Sequence, residues 1–442
     1  MSDHPPAEQN SGEQVIGTGQ APGPPAPGNA QFRLDRVGLA VIRSIQQGSP
    51  AVVTALSIFA ALVVGGLFIV ATDPAVLRAW DSLGYAPGAA LSTTWDSVSA
   101  AYSALFEGAI FSPATVAAAF HGGSIAAIFY PLSLTVYEAT PLILTGLSVA
   151  VAFRVGLFNI GAASQFIGGA IVAAWLGADV SMPPVIHVIV CVAGAMIGGA
   201  VLGWIVGELK ARTGAHEVIV TIMLNYVMAN LLLYLLSSHS LLQAPGQPNQ
   251  IAPPVASDSI LPHVGGPPPQ ADAGFLLALA AAAVVAWLLS RSTIGFQFRT
   301  VGANPSAARS AGMNVERTWS RAMLIAGSLA GLAAAVVLLS GGSSPPPLVP
   351  STPGTYGFDG ITVALLGRAR PLGVVLAGLL FGALNAGGTN VAAVTHVPSD
   401  IVQVLEGLIV LFVAAPPFIR SVYHLRGAAG TGLEEFARGW NG

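Results

Sequence analysis

Residues 51–71 read "AVVTALSIFAALVVGGLFIVA", without one charged side chain. A helix needs about 20 mostly apolar residues to cross about 30 Å of hydrocarbon, so this run alone can span a bilayer. The rest of the 442-residue chain agrees: 53% of it is hydrophobic and 8% charged, against about 25% charged in a soluble domain, and the mean hydropathy is +0.71. A formal charge of −3 leaves no basic face for nucleic acid. The single cysteine, Cys191, can make neither an internal disulfide nor a metal cluster.

Similar apolar runs lie near 132–153, 157–177, 184–207, 218–238, 274–290, 321–341, 371–388 and 401–419, with a shorter one at about 358–368. With the N-terminus inside and ten crossings, sixteen of the seventeen basic residues fall on the inner side and Arg78 alone falls outside. Omitting the short element would put Arg420 and Arg426 outside, against the positive-inside rule. The expected fold is therefore an all-α integral membrane protein of about ten transmembrane helices. Both termini are cytoplasmic, and a broken or re-entrant short helix lies near 358–368.

Residues 1–48 hold few large apolar side chains and read as a disordered cytoplasmic tail. The first apolar run starts too late for a secretory signal. Residues 49–425 form the membrane domain and 426–442 a cytoplasmic C-terminal tail. The outside loops carry "QAPGQPNQIAPP" (243–254), "GGPPPQ" (265–270) and "SSPPPLVPSTPG" (343–354). Residues 72–131 also fall outside, and "SPATVAAAFHGGSIAAIFYP" (112–131) is apolar enough to lie on or dip into the membrane.

Four stretches carry polar chemistry. "RVGLFNIGAASQF" (154–166) places Asn159, Gly161 and Gln165 where hydrocarbon is expected. If a helix starts at Gly156, Asn159 and Gln165 stand six residues apart and cannot share one narrow face, so that one braces a neighbour while the other faces a pathway. In "GAHEVIVTIMLNY" (214–226), Val220 stands where an H-E-x-x-H zinc motif needs its second histidine. Glu217 suits a helix N-terminus, and Asn225, deeper in the span, needs a hydrogen-bond partner or a polar pathway. "TVGANPSAARSAGMNV" (300–315) predicts a short inside helix, with Asn304 as N-cap, Pro305 at the first helical position and Gly312 at the C-terminal stop. Its small side chains suit either an ordinary loop or a docking helix. In "TYGFDGITVALLG" (355–367), Asp359 is either a helix N-cap or a solute contact, at the mouth of a cavity.

The only lysine, Lys210, is followed by Ala211, so the chain has no P-loop. Uphill transport would draw its energy from a separate subunit or from an ion. Glu138, in a span kinked by Pro141, and Glu406 would be the residues of a proton relay. The histidines have no ligand spacing, and no catalytic or metal site is expected.

"GLFNIGAASQF", "HEVIVTIMLNY", "GANPSAARSAGMNV" and "GFDGITVALLG" occur in the order and spacing of the permease subunits of bacterial ABC importers for nucleosides. These belong to a larger group serving simple sugars and branched-chain amino acids, and the resemblance covers roughly residues 50–425. It implies a transport subunit, without its own ATP site or cofactor, that pairs with a second related permease. Such a subunit sits on cytoplasmic ABC ATPase subunits and receives solute from an extracytoplasmic substrate-binding lipoprotein. By the same resemblance the segment 303–313 is the coupling helix, with Gly302, Asn304, Ala307, Ala308, Arg309 and Gly312 meeting the ATPase. Asn159, Gln165, Asn225, Phe358 and Asp359 belong to the substrate pathway. Similar permeases commonly read F-N-I-G-x-E-G-Q, where this chain has Ala163 and Ser164 in place of the Glu-Gly pair. The alternatives are a simple-sugar ABC permease and, from another class, a proton-coupled secondary transporter.

Overall fold

In the computed structural model, residues 50–262, 272–340, 345–395 and 400–423 are described; the two expected tails, 1–48 and 426–442, lie outside them. The molecule is all-helical, 78% helix with no strand among the described residues. Among the described residues seven helices are long and apolar enough to cross a membrane, or eight if one bent pair counts as a single span.

The first apolar run forms α1 (Pro50–Thr72). It is followed by α2 (Pro74–Asp81), α3 (Pro87–Ala109) and α4 (Pro113–Phe120). The next helices are α5 (Tyr130–Phe153), α6 (Ala162–Asp179), α7 (Pro184–Thr213), α8 (Glu217–Leu236) and α9 (Ala273–Arg291). Two short helices, α10 (Thr293–Ala303) and α11 (Pro305–Ser310), lead into α12 (Val315–Leu339). The chain continues through α13 (Tyr356–Leu366), α14 (Pro371–Val394), α15 (Asp400–Ala414) and α16 (Pro416–Val422).

α5 and α12 are the central helices, each 78% buried, while α7, α8 and α9 are 28% buried or less. The outward faces of α7 and α9 carry Val185, Ile189, Ile197 and Val201, and Leu276, Val284 and Trp287. They are surfaces suited to lipid. Packing of α7 on α12 depends on small residues: a methyl group on Gly199 or Gly203 would collide with the carbonyl oxygen of Gly327 or Met323. Glycine at every fourth position lets the two backbones meet directly, which replaces the hydrophobic drive that lipid cannot supply.

Two features depart from the sequence reading. Residues 72–131 are largely helical: α3 packs along α14, with Asn390 Nδ2 donating to the Ala104 carbonyl at 2.7 Å. α3 and α4 together bend by 58°. The helix expected from 157 begins only at Ala162, leaving 154–161 non-helical inside the bundle.

α13 has 11 residues and is therefore about 16 Å long, half of what a crossing needs. Its C-terminal end turns into α14 through Arg368 and Ala369, both at positive φ (54° and 48°). That left-handed turn is pinned by Arg154, whose Nε donates to the Ala369 carbonyl at 2.9 Å. Burial, then the like charges of Arg370 and Arg299, lower the pKa of Arg154.

Candidate functional site

α6 and α13 both begin within the bundle, and their N-termini meet. A methyl group on Gly357 would lie 2.5 Å from the Cα of Ala163, so the first turn of α13 rests on the first turn of α6. The rings of Phe166 and Tyr356 stack beside that contact at 5.6 Å. Gly360 packs on Thr145, midway along α5. Ala163, where similar permeases carry glutamate, thus occupies the α6–α13 contact, and Gly357 leaves little room there for a larger side chain.

Unwound backbone in a membrane must be satisfied from within the protein. The side chains of Asn159 and Gln165, both fully buried, satisfy each other as a pair, while the backbone is bonded by Asn225. Asn159 Nδ2 donates to Gln165 Oε1 at 2.9 Å, and Gln165 Nε2 donates back to Asn159 Oδ1 at 3.1 Å. Ser148 of α5 accepts a further, longer bond from Asn159 at 3.4 Å. The expectation that the two amides face apart is corrected. Asn159 precedes the helix, so the helical angle per residue does not apply between 159 and 165.

Asn225 reaches across from α8. Its Oδ1 accepts the Ser164 amide N–H at 2.9 Å and its Nδ2 donates to the Ile160 carbonyl at 3.0 Å. Gly161, the residue preceding α6, offers no side-chain cap, so a neighbouring helix provides one. Glu217 opens α8 and pairs with Lys210 of α7 at 2.6 Å, which in turn lies 5.1 Å from the Trp319 ring centroid.

On α13, Phe358 is 54% exposed. Asp359 stands in the first turn and accepts a short bond from the Thr355 hydroxyl. One exposed aromatic ring and Asp359 thus share the first turn of α13, at the positive end of its dipole, and a half-helix N-terminus of this kind can receive a polar solute.

The short helix expected at 303–313 is present as α11. Asn304 Oδ1 accepts the Ala307 N–H at 2.9 Å, and Gly312 has φ +82°. Asn304, Ala307, Arg309 and Gly312 are exposed, with Arg309 paired to Glu316 at 2.5 Å. Ala308 is fully buried, and Gly302 packs against the Arg154 carbonyl. Both residues fasten the helix to its own subunit; Ala308 has no exposed surface, while Gly302 is half-buried.

Two features escaped the sequence reading. The α10 helix was unmarked because Gln297, Arg299 and Thr300 interrupt its apolar pattern. His187 is fully buried, with Nε2 bonded to the Leu176 carbonyl at 2.9 Å and Nδ1 3.1 Å from Asp258. That contact joins positions 71 residues apart, which no local pattern announces. Among the described residues no group of His, Cys, Asp and Glu has the arrangement of a metal site.

Spanning helices, two helix N-termini meeting inside the bundle and a small-residue helix outside it define a solute permease. Residues 132–414 match the family described as "Branched-chain amino acid transport system / permease component", and the chain belongs to that family. It is a multi-pass cell-membrane protein and a permease subunit of an ABC importer. It is 37% identical to the guanosine ABC transporter permease protein NupP of Bacillus subtilis (strain 168), over 77% of this chain and 92% of that one. It is 34% identical to the nucleoside ABC transporter permease protein NupB of Lactococcus lactis subsp. cremoris, over 63% and 78%. The glucose ABC transporter permease protein TsgB13 of Haloferax volcanii is 33% identical over 66% and 78%. No solved structure matches.

Proposed function

We propose that the chain carries a nucleoside inward as one of two related permease subunits. A separate cytoplasmic ABC ATPase drives it, and an extracytoplasmic substrate-binding lipoprotein supplies it. The observation that carries this reading is the junction of the α6 and α13 N-termini, where Phe358 is exposed and Asp359 half-buried beside backbone capped by Asn225 and a buried Asn159–Gln165 pair. In this reading Phe358 and Asp359 touch solute, while the three amides hold the pathway's wall. The nucleoside assignment is supported by the named activities of two of the three relatives above. The third favours a second reading, a simple sugar.

The chain crosses the membrane ten times in this proposal, counting α6, α13 and α15, with both termini and α10–α11 in the cytoplasm. Asn304, Ala307, Arg309 and Gly312 form the exposed part of the surface that meets the ATPase. α8 supports a paired arrangement: Tyr226 and Tyr234 are 66% and 64% exposed, and Asn230, between them, is exposed with only its own Tyr226 carbonyl as partner. An amide in lipid is costly, so this polar stripe faces the second permease. Uptake by the reconstituted complex tests the substrate. ATP-dependent accumulation of labelled guanosine, unaffected by excess glucose, is expected; accumulation of glucose alone would replace the nucleoside reading with the sugar one.

A further inference from the structure

Beside the solute-facing end of α13 lies a carboxylate that the pathway described so far does not use. Glu406 of α15 is 8% exposed, and one of its carboxylate oxygens is buried without a hydrogen-bond partner. The helix that carries it packs against α13, which bears Asp359 in its first turn. α13 also packs along α5, which bears Glu138. Carboxylates from three packed helices thus lie near one helix N-terminus.

A carboxyl oxygen without a partner can accept a hydrogen bond, so a ligand that satisfies the free Glu406 oxygen brings a donor. The positive end of the α13 dipole already serves the same space, which favours neutral O–H donors over a cation. Paired hydroxyls on adjacent carbons can meet two carboxylates at once, and the exposed ring of Phe358 offers a flat face beside them. We propose that Glu406, Asp359 and Glu138 form a hydroxyl-binding subsite at the N-terminus of α13, taking the vicinal hydroxyls of a ribosyl or sugar ring. This rests on the transport reading above and assigns Glu406 and Glu138 as specificity-determining residues within it.

The test uses the full reconstituted complex with the same binding lipoprotein throughout. Uptake of guanosine, of 2′,3′-dideoxyguanosine and of glucose is measured for wild type, Glu406→Gln, Glu406→Asp and Asp359→Asn. Guanosine uptake is expected to fall about tenfold in Glu406→Gln and Asp359→Asn, the worth of a hydrogen bond to a charged group. Dideoxyguanosine uptake should change little, so the preference for the ribose form shrinks, and Glu406→Asp should retain part of it. In a glucose-carrying complex the same loss would appear on glucose, which identifies a sugar ring as the source of the hydroxyls. An equal loss of both nucleosides, unchanged uptake in both variants, or a cation requirement abolished by Glu406→Gln would overturn the subsite. Wild-type complex that carries none of the three solutes would instead overturn the transport reading.

Discussion

Asn159 and Gln165 are each other's principal partner, so their free energies are coupled. Asn159→Leu alone leaves the Gln165 amide buried and short of partners, at a cost of about 1–3 kcal/mol. The double variant Asn159→Leu/Gln165→Leu removes both ends of the pair, and its destabilisation should be smaller than the sum of the two singles. Thermal unfolding of the purified complex measures this; strict additivity would mean that the reciprocal bonds contribute nothing. Asn225→Ala removes a cap supplied from another helix and should cost about 1 kcal/mol. The sequence marks all three amides as out of place in hydrocarbon, which is as far as local chemistry reaches. It does not show that Asn159 precedes its helix, because "LFNIG" is as apolar as the helix that follows. Nor does it link Glu406 to Asp359, 47 positions away.

At the scale of elements, α11 and the α7–α12 contact respond to substitution in different ways. Ala307 is exposed and Ala308 buried one residue later. Ala307→Trp should therefore leave the subunit folded and inserted while abolishing solute-stimulated ATP hydrolysis in the complex. Ala308→Trp must displace its own subunit's core and should lower stability by about 1–3 kcal/mol. Equal behaviour of the two variants would contradict the orientation of α11. Gly203→Val sets a branched side chain against the Met323 carbonyl and should prevent a monodisperse complex from forming, as size-exclusion chromatography would report. Long apolar runs make most spans legible to within a few residues, since their length is fixed by the bilayer. α3 is missed because Ser92, Thr93, Thr94, Asp96, Ser97 and Ser99 dilute its hydropathy, although the hydroxyls of Ser92, Thr94 and Ser99 bond to nearby backbone carbonyls and that of Ser97 to Asp73.

For the whole molecule, the fold supplies three structural elements of a transport cycle. The outer helices α7 and α9 present lipid-compatible faces, and two half-buried helix starts create a polar centre. The turn at Arg368–Ala369 is tied through Arg154 to the loop that abuts Gly302, next to α11. In the proposed cycle, movement of α11 would pass to α13 by backbone contact and one hydrogen bond. The same connection predicts that Arg154→Met slows transport more than it slows ATP hydrolysis, which parallel assays on one preparation would resolve. In the proposed cycle a separate ATPase, and not an ion gradient, moves solute through this chain. The most direct measurement is guanosine uptake into vesicles holding the full complex, with the catalytic glutamate of the ATPase replaced by glutamine and, separately, with a protonophore added. The account predicts that uptake stops with the disabled ATPase and persists with the protonophore; survival of uptake in the first case and collapse in the second would contradict it.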